Sequence, residues 1–169
     1  FDTVFNSFNP FSFNASYTTT TNKFIKGSSF LAQARYLDGL ALAKLGFEIE
    51  NRKGNNTVFA YVKTMYRPDS TDVNYLMYRN DWVAKTWNTT LNLGLEHRYE
   101  YQRGEGKITA SLRSSSLASK YDYSQLRLEV VNHNYLWKFG FHTRMIAQVG
   151  TGSKLAPESA LYAAGASPE

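Results

Sequence analysis

The sequence predicts an all-β fold in which antiparallel strands follow one another as an up-and-down meander. In several segments, apolar and polar residues alternate with a period of two, which indicates strands with two chemically different faces. Turn-forming residues separate these segments, and no long stretch has helical periodicity. Aromatic residues make up 15% of the 169 residues, enough for rows of aromatic side chains at the strand ends. These observations predict a transmembrane β-barrel, to which this chain contributes about eight strands of a larger barrel.

The first predicted strands lie in the N-terminal 66 residues of the chain. Residues 11–20, 30–36 and 41–50 each have small or apolar side chains at every second position. The alanine-rich start of the third segment is compatible with a helix, but its alternation up to residue 50 favours a strand. Residues 57–66 are apolar in both phases. A strand is expected there, but the pattern does not decide which side chains face which way.

The clearest alternation lies in residues 87–101. One phase carries no formal charge, with leucines in the middle and aromatic residues at both ends, whereas the other phase is polar throughout. A strand of a soluble sandwich usually needs only about five or six residues. A longer strand, with aromatic side chains where the apolar band ends, is typical of the lipid-facing strands of outer-membrane barrels.

The remaining predicted strands are residues 107–116, 124–131 and 137–149, of which the last alternates most regularly. With residues 87–101, it supplies the side chains expected to face lipid and to form the aromatic girdles. These are Trp87, Leu91, Leu93, Leu95, Tyr99, Tyr101, Trp137, Phe139 and Phe141. The opposite phase is expected to face the lumen and contains Glu96, Arg98, Glu100, Arg113, Arg127 and Arg144. Such charges suit a solute-selecting lumen, or they are simply the paired polar interior of a wide barrel.

Turn-forming residues separate the predicted strands of the meander. Tight turns are predicted at residues 52–56, 103–106 and 132–134, which are rich in glycine or asparagine. Residues 67–85 and 150–169 lack a clear period and are predicted to be loops. Because barrels of this type have short periplasmic turns and longer extracellular loops, we expect the three turns to be periplasmic and both loops to be extracellular.

Several kinds of chemistry are not expected in this segment. The net charge of +5 is spread along the chain without a basic run, so no nucleic-acid partner is predicted. The absence of cysteine excludes disulfides and thiolate chemistry. None of His97, His133 and His142 lies in a His-Glu-x-x-His frame. No catalytic, cofactor-binding or metal-binding residue is therefore predicted, and no apolar run reaches the roughly 18 residues of a transmembrane helix.

A set of short segments resembles the C-terminal outer-membrane β-barrel region of large Bacteroidota proteins. The N-terminal part of those proteins is a thermolysin-like zinc peptidase domain of the M1 type, and their barrel is similar to the Omp85 and surface-antigen class. The segments are Met65-Tyr66-Arg67-Pro68, Tyr75-Leu76-Met77-Tyr78 with Asp81-Trp82, Gly104-Glu105-Gly106-Lys107-Ile108, Gly150-Thr151-Gly152, and residues 157–162 and 164–169. The resemblance covers residues 46–169.

The resemblance implies a barrel that continues after residue 169 and a peptidase domain before residue 1. It implies no catalytic residue within residues 1–169. The full-length protein would nevertheless contain a peptidase domain. The Gly-Leu-Arg-Gly-Tyr type of motif found in Omp85 barrels is absent. No insertase or secretion role is therefore expected.

The resulting hypothesis is that residues 1–169 are part of one barrel domain of a bacterial outer membrane. The domain would anchor an attached domain or serve as a subunit of an envelope complex. Its partners would be lipid, lipopolysaccharide and other outer-membrane or periplasmic proteins. The alternative is a soluble lipocalin-like barrel whose apolar phase faces inward onto an apolar ligand. Aromatic residues at the strand ends favour the membrane, whereas aromatic residues in mid-strand favour a ligand cavity.

Overall fold

The described residues of the computed structural model are 2–4, 12–21, 25–37, 40–67, 85–115, 119 and 121–154. They form one nine-stranded sheet in which each strand pairs antiparallel with its neighbours in sequence. The strands are β1 (Asp2–Val4), β2 (Ser12–Thr20), β3 (Ser28–Leu37), β4 (Leu40–Glu50), β5 (Asn56–Arg67), β6 (Thr86–Tyr101), β7 (Gly104–Ser114), β8 (Asp122–Leu136) and β9 (Phe139–Lys154).

The predicted all-β, antiparallel, up-and-down fold is confirmed, and the described residues contain no helix. The short β1 brings the number of strands to nine. Within the described residues β1 and β9 are the two edges of the sheet and do not pair with each other, so the sheet is open. The strands are long, with 16 residues in both β6 and β9.

The predicted tight turn at residues 132–134 is wrong. These residues lie within β8, and the chain reverses at Trp137 and Lys138, where Leu136 pairs with Phe139. Trp137 adopts a φ of 55°, the left-handed conformation that a two-residue hairpin turn requires. The alternation of residues 137–149 predicts that Trp137 begins a strand, whereas glycine or asparagine is the usual residue in such a turn. It lies in the turn, and β9 begins two residues later.

The other connections differ from the prediction in smaller ways. The chain reverses at residues 51–55, close to the predicted turn, and at residues 102–103 rather than 103–106, because Gly104 already pairs with Tyr101. The predicted C-terminal loop begins too early, since β9 continues to Lys154. Residues 68–84 and 155–169, where the two long loops were predicted, lie outside the described residues.

The meander gives the sheet two distinct ends. The reversals at residues 51–55, 102–103 and 137–138 lie at one end, here called the turn end. At the other end, here called the loop end, β3, β5 and β7 end and β4, β6 and β8 begin. Backbone hydrogen bonds join adjacent hairpins at the turn end, from Arg98 to Asn55 and from Tyr135 to Arg103. Neighbouring turns are therefore held in register with one another.

Candidate functional site

One face of the sheet, here called the apolar face, consists of the side chains on the same side as Leu93. Strand register puts directly opposed residues on the same side of a sheet. A row through Leu93 crosses the seven strands from β3 to β9 and contains only apolar residues. Its members are Phe30, Phe47, Ala60, Leu93, Leu112, Leu126 and Val149. In the described strands from β2 to β7, no Asp, Glu, Lys or Arg lies on this face.

The apolar face is the exposed one. Leu93 and Leu95 are 42% and 47% exposed, whereas Asn92, on the opposite side of the same strand, is 2% exposed. A water-soluble sheet normally shows the reverse, with its apolar side chains buried. Large exposed side chains continue across this face in Leu45, Phe47, Val58, Val62, Leu112, Leu126, Leu128, Met145 and Val149. A contiguous apolar surface of this kind marks a site of contact with something apolar.

Eight of the nine predicted lipid-facing residues share the apolar face. In β6 they are Trp87, Leu91, Leu93, Leu95, Tyr99 and Tyr101, and in β9 they are Phe139 and Phe141. Leu91 and Tyr99 are partly buried, and the others are exposed. Trp137 is the exception, because it belongs to the turn and strand alternation does not assign it to a face. Its side chain is 85% exposed at the turn end.

Aromatic side chains cluster near both ends of the apolar face. At the loop end the rings of Tyr66 and Trp87 lie with their centroids 4.7 Å apart. At the turn end Tyr99 and Tyr101 stack at 6.2 Å, and their hydroxyls donate hydrogen bonds to Asn132 on β8. These bonds satisfy the polar side chain of Asn132 within the strand.

The opposite face, here called the polar face, carries the six predicted lumen-facing charges, and four of them form ion pairs with other described residues. Glu96 accepts a hydrogen bond from the Nε of Arg98 at 2.8 Å and lies 3.4 Å from the Nζ of Lys107. Glu129 lies 3.0 Å from Arg127 and 2.7 Å from Arg144. These ion pairs link β6 to β7 and β8 to β9, as cross-strand pairs of opposite charge do.

The remaining predicted lumen residues, Arg113 and Glu100, also lie on the polar face. Arg113 donates from Nε to the Oδ1 of Asn92 at 2.8 Å. Glu100 lies opposite Glu105, close to the turn end. The structure therefore puts all six predicted lumen-facing residues on one side of the sheet.

A recess of about 350 Å³ lies in the middle of the polar face. Lys44 enters it, with Nζ 4.0 Å from the centroid of the Tyr61 ring. Charged side chains from β4, β6, β7 and β8 line most of the remainder, namely Glu48, Glu96, Arg98, Lys107 and Glu129. A recess with this lining suits water or a polar solute rather than an apolar ligand.

Burial on the polar face changes from one end of the sheet to the other. Towards the loop end, the side chains are almost completely buried, as at Lys63, Met65, Asn88, Thr90, Tyr123 and Gln125. Towards the turn end they are exposed, as at Arg98, Glu100, Glu105, His142 and Arg144. The recess and its charges are therefore accessible from the turn end.

The three histidines occupy two different environments. His97 lies on the apolar face, where its Nδ1 is 2.8 Å from the Oδ1 of Asn56. His133 and His142 oppose each other on the polar face, with ring centroids 4.2 Å apart. The sequence does not reveal this pair, because the asparagines on both sides of His133 predict a turn there. Within the described residues, no group of three or more His, Cys, Asp and Glu side chains is arranged to hold a metal ion.

Comparisons with known proteins add no assignment, since no protein-family model, curated protein or solved structure matches this chain. The described residues include no helix long and apolar enough to cross a membrane.

Proposed function

We propose that this chain is part of a transmembrane β-barrel of a bacterial outer membrane, where it anchors an attached domain or serves as a subunit of an envelope complex. The observation that carries the proposal is the exposed apolar face, which has no charged residue in the described strands from β2 to β7 and lies opposite a charged polar face that is buried towards the loop end. In water this arrangement is unfavourable, because apolar surface stays hydrated. In a bilayer, lipid covers the apolar face and the polar face lines the interior.

The dimensions of β6 agree with this proposal. Twelve positions separate Trp87 from Tyr99, the aromatic residues towards the two ends of its apolar segment. At about 3.3 Å per residue, this distance is about 40 Å along the strand. With a strand tilt of about 40°, it becomes about 30 Å along the membrane normal, close to the hydrocarbon thickness of a bilayer.

In a membrane, the backbone groups along the edges of the sheet must be paired. Lipid offers no hydrogen-bonding partner, so unpaired N–H and C=O groups of an edge strand are costly within the hydrocarbon. The outer edge of β9 extends over 16 residues and must therefore pair with a further strand. Closure of the barrel by additional strands satisfies this requirement.

The alternative, a soluble lipocalin-like barrel that binds an apolar ligand, requires the apolar face to be the interior. The charged recess and the exposed leucines favour the membrane proposal over this one. The role of an anchor or envelope subunit is part of the proposal and follows from the resemblance, inferred from the sequence, to barrel regions of peptidase-bearing Bacteroidota proteins. No residue with a catalytic role is assigned in this chain.

Spin labelling tests the orientation directly, because the chain contains no native cysteine. Leu93→Cys and Leu95→Cys put a label on the apolar face, and Thr109→Cys is the matched control on the polar face. The labelled protein is reconstituted in lipid vesicles. Collision rates are then measured with molecular oxygen, which concentrates in lipid, and with a negatively charged paramagnetic chelate, which stays in water.

The membrane proposal predicts labels at 93 and 95 that are more accessible to oxygen than to the chelate, and the opposite at 109. A lipocalin-like barrel predicts labels at 93 and 95 that neither reagent reaches. Labels on the apolar face that collide freely with the chelate would contradict the proposal. Carbonate extraction of membranes, followed by flotation, gives an independent check, because a barrel stays with the membrane until detergent is added.

A further inference from the structure

His133 and His142 form a cross-strand pair near the turn end of the polar face. They are directly opposed residues of β8 and β9. Their rings lie with centroids 4.2 Å apart and planes inclined by 45°. His142 is exposed and His133 is partly buried, so solvent reaches the pair. The hairpin turn at Trp137 and Lys138 fixes this juxtaposition, because it sets the register of the two strands.

Two neighbouring imidazoles are well suited to transition-metal coordination. Imidazole nitrogen is a preferred ligand of Zn²⁺, Cu²⁺ and Ni²⁺, with metal–nitrogen bonds of about 2.0 to 2.1 Å for zinc. Two nitrogens bound to one tetrahedral ion then lie about 3.3 Å apart. The two imidazoles belong to directly opposed residues and their ring centroids are 4.2 Å apart, so both side chains are within reach of one ion. The rings must rotate to point one nitrogen each at the metal.

The charges near the pair also favour a cation. Glu105 lies directly opposite His133, and Glu100 lies opposite Glu105, so two carboxylates and two imidazoles occupy one row. Among the described residues neither glutamate forms an ion pair. The nearby cations Lys107 and Arg144 are paired with Glu96 and Glu129 instead. The local potential is thus more favourable to a divalent cation than the net positive charge of the chain suggests.

We propose that His133 and His142 bind one divalent transition-metal ion, with zinc as the simplest occupant. The two imidazole nitrogens supply the protein ligands, and water completes the coordination. A site with only two protein ligands exchanges its metal readily and differs from a closed structural zinc site. The inference does not rest on the membrane proposal, because the pair lies on the polar face and is open to solvent in either orientation.

The test is a titration of the purified full chain, without a histidine tag, with Zn²⁺ alone. Isothermal titration calorimetry in detergent micelles is expected to give one ion per chain. His133→Asn and His142→Asn are each expected to weaken binding by at least tenfold. His97→Asn is the matched control, because this third histidine lies on the apolar face and is expected to leave binding unchanged.

The pH dependence separates a two-histidine site from a single-histidine site. Protons compete with the metal for each imidazole. In acid, the logarithm of the apparent affinity is therefore expected to fall with a limiting slope of about two per pH unit, against about one for a single histidine. Circular dichroism of each variant verifies that it is folded. Absence of saturable binding, binding that survives both substitutions, or a slope of one would each overturn the proposal.

Discussion

Gly46 and Gly94 show how single residues shape the polar face. A Cβ on Gly46 would overlap the Cβ of Tyr61 and the carbonyl oxygen of Ala60, and a Cβ on Gly94 would overlap the Phe59 ring. Both glycines thus make room for residues of β5. Tyr61, whose Cβ lies against Gly46, also supplies the ring beneath Lys44 in the recess. In the sequence these glycines resemble interruptions of a strand, whereas in the sheet they are sites of close packing.

Gly46→Ala is expected to destabilise the protein by about 2 kcal/mol, because the clash involves neighbouring backbone as well as side-chain atoms. Gly140→Ala is the matched control. Its Cβ would meet the Tyr135 ring at 3.7 Å, an ordinary contact, and is expected to change stability by less than about 0.5 kcal/mol. Urea unfolding from detergent micelles measures both. Equal stability of the two variants would contradict the close approach at Gly46.

The backbone of Trp137 gives a second prediction at the residue scale. Its φ of 55° is tolerated by asparagine but is unfavourable for a β-branched residue. Trp137→Val is therefore expected to be less stable than Trp137→Asn by about 1 kcal/mol. The comparison uses two variants at one position, so the loss of the indole is common to both. Greater stability of the valine variant in urea unfolding would argue against the left-handed turn.

At the scale of the element, β6 has two chemically opposite faces. Its apolar side chains from Trp87 to Tyr101 are predictable from alternation alone, since period and charge are local properties of the sequence. The facing of β5 is not predictable in this way, because both of its phases are apolar. Pairing with β6 decides it, as Val58 and Ala60 lie opposite Leu95 and Leu93, while Phe59 lies opposite Gly94.

Leu93→Arg tests the apolar face of β6 energetically. If Leu93 lies near the bilayer midplane, arginine there is expected to cost about 2–4 kcal/mol in lipid vesicles. Thr109→Arg is the control on the polar face, where the new guanidinium would lie between Glu96 and Glu129 in the pairing register. It is expected to change stability by less than about 1 kcal/mol. A cost at Leu93 no larger than that at Thr109 would speak against lipid contact.

The turn of the β8–β9 hairpin is not predictable from the alternation of apolar and polar residues. Both strands were predicted, but the turn was predicted at Asn132–Asn134, since asparagine is a common turn residue. In the structure both asparagines lie within β8, where Tyr101 binds their side chains, and the chain reverses at Trp137. The position of this turn sets the register that brings His133 to His142. The sequence does not reveal the candidate metal site, because the predicted turn includes His133 itself.

At the scale of the whole molecule, ion pairs on the polar face join four strands two by two. Glu96 connects β6 to β7, and Glu129 connects β8 to β9. The side chains of Arg144 and Glu129 are 50% and 21% exposed, so solvent screens part of their attraction. These ion pairs thus contribute to the alignment of the strands more than to stability.

A double-mutant cycle with Glu129→Gln and Arg144→Gln measures this contribution. The coupling free energy is expected to be about 0.5 to 1 kcal/mol at low salt and smaller at 1 M salt. Unfolding of the wild type, the two single variants and the double variant supplies the four values. A coupling near zero at low salt would show that the 2.7 Å pair does not stabilise the sheet in solution.

The all-β meander, the uncharged apolar phase and the charged phase are all predictable from the sequence, because alternation and composition act over a few neighbouring residues. The aromatic residues near the ends of β6 are predictable in the same way. Four features are known only from the folded sheet, namely the turn at Trp137, the facing of β5, the recess around Lys44 and the histidine pair. Each of these depends on register between strands, which is set by non-local pairing and by a backbone conformation that residue type does not reveal.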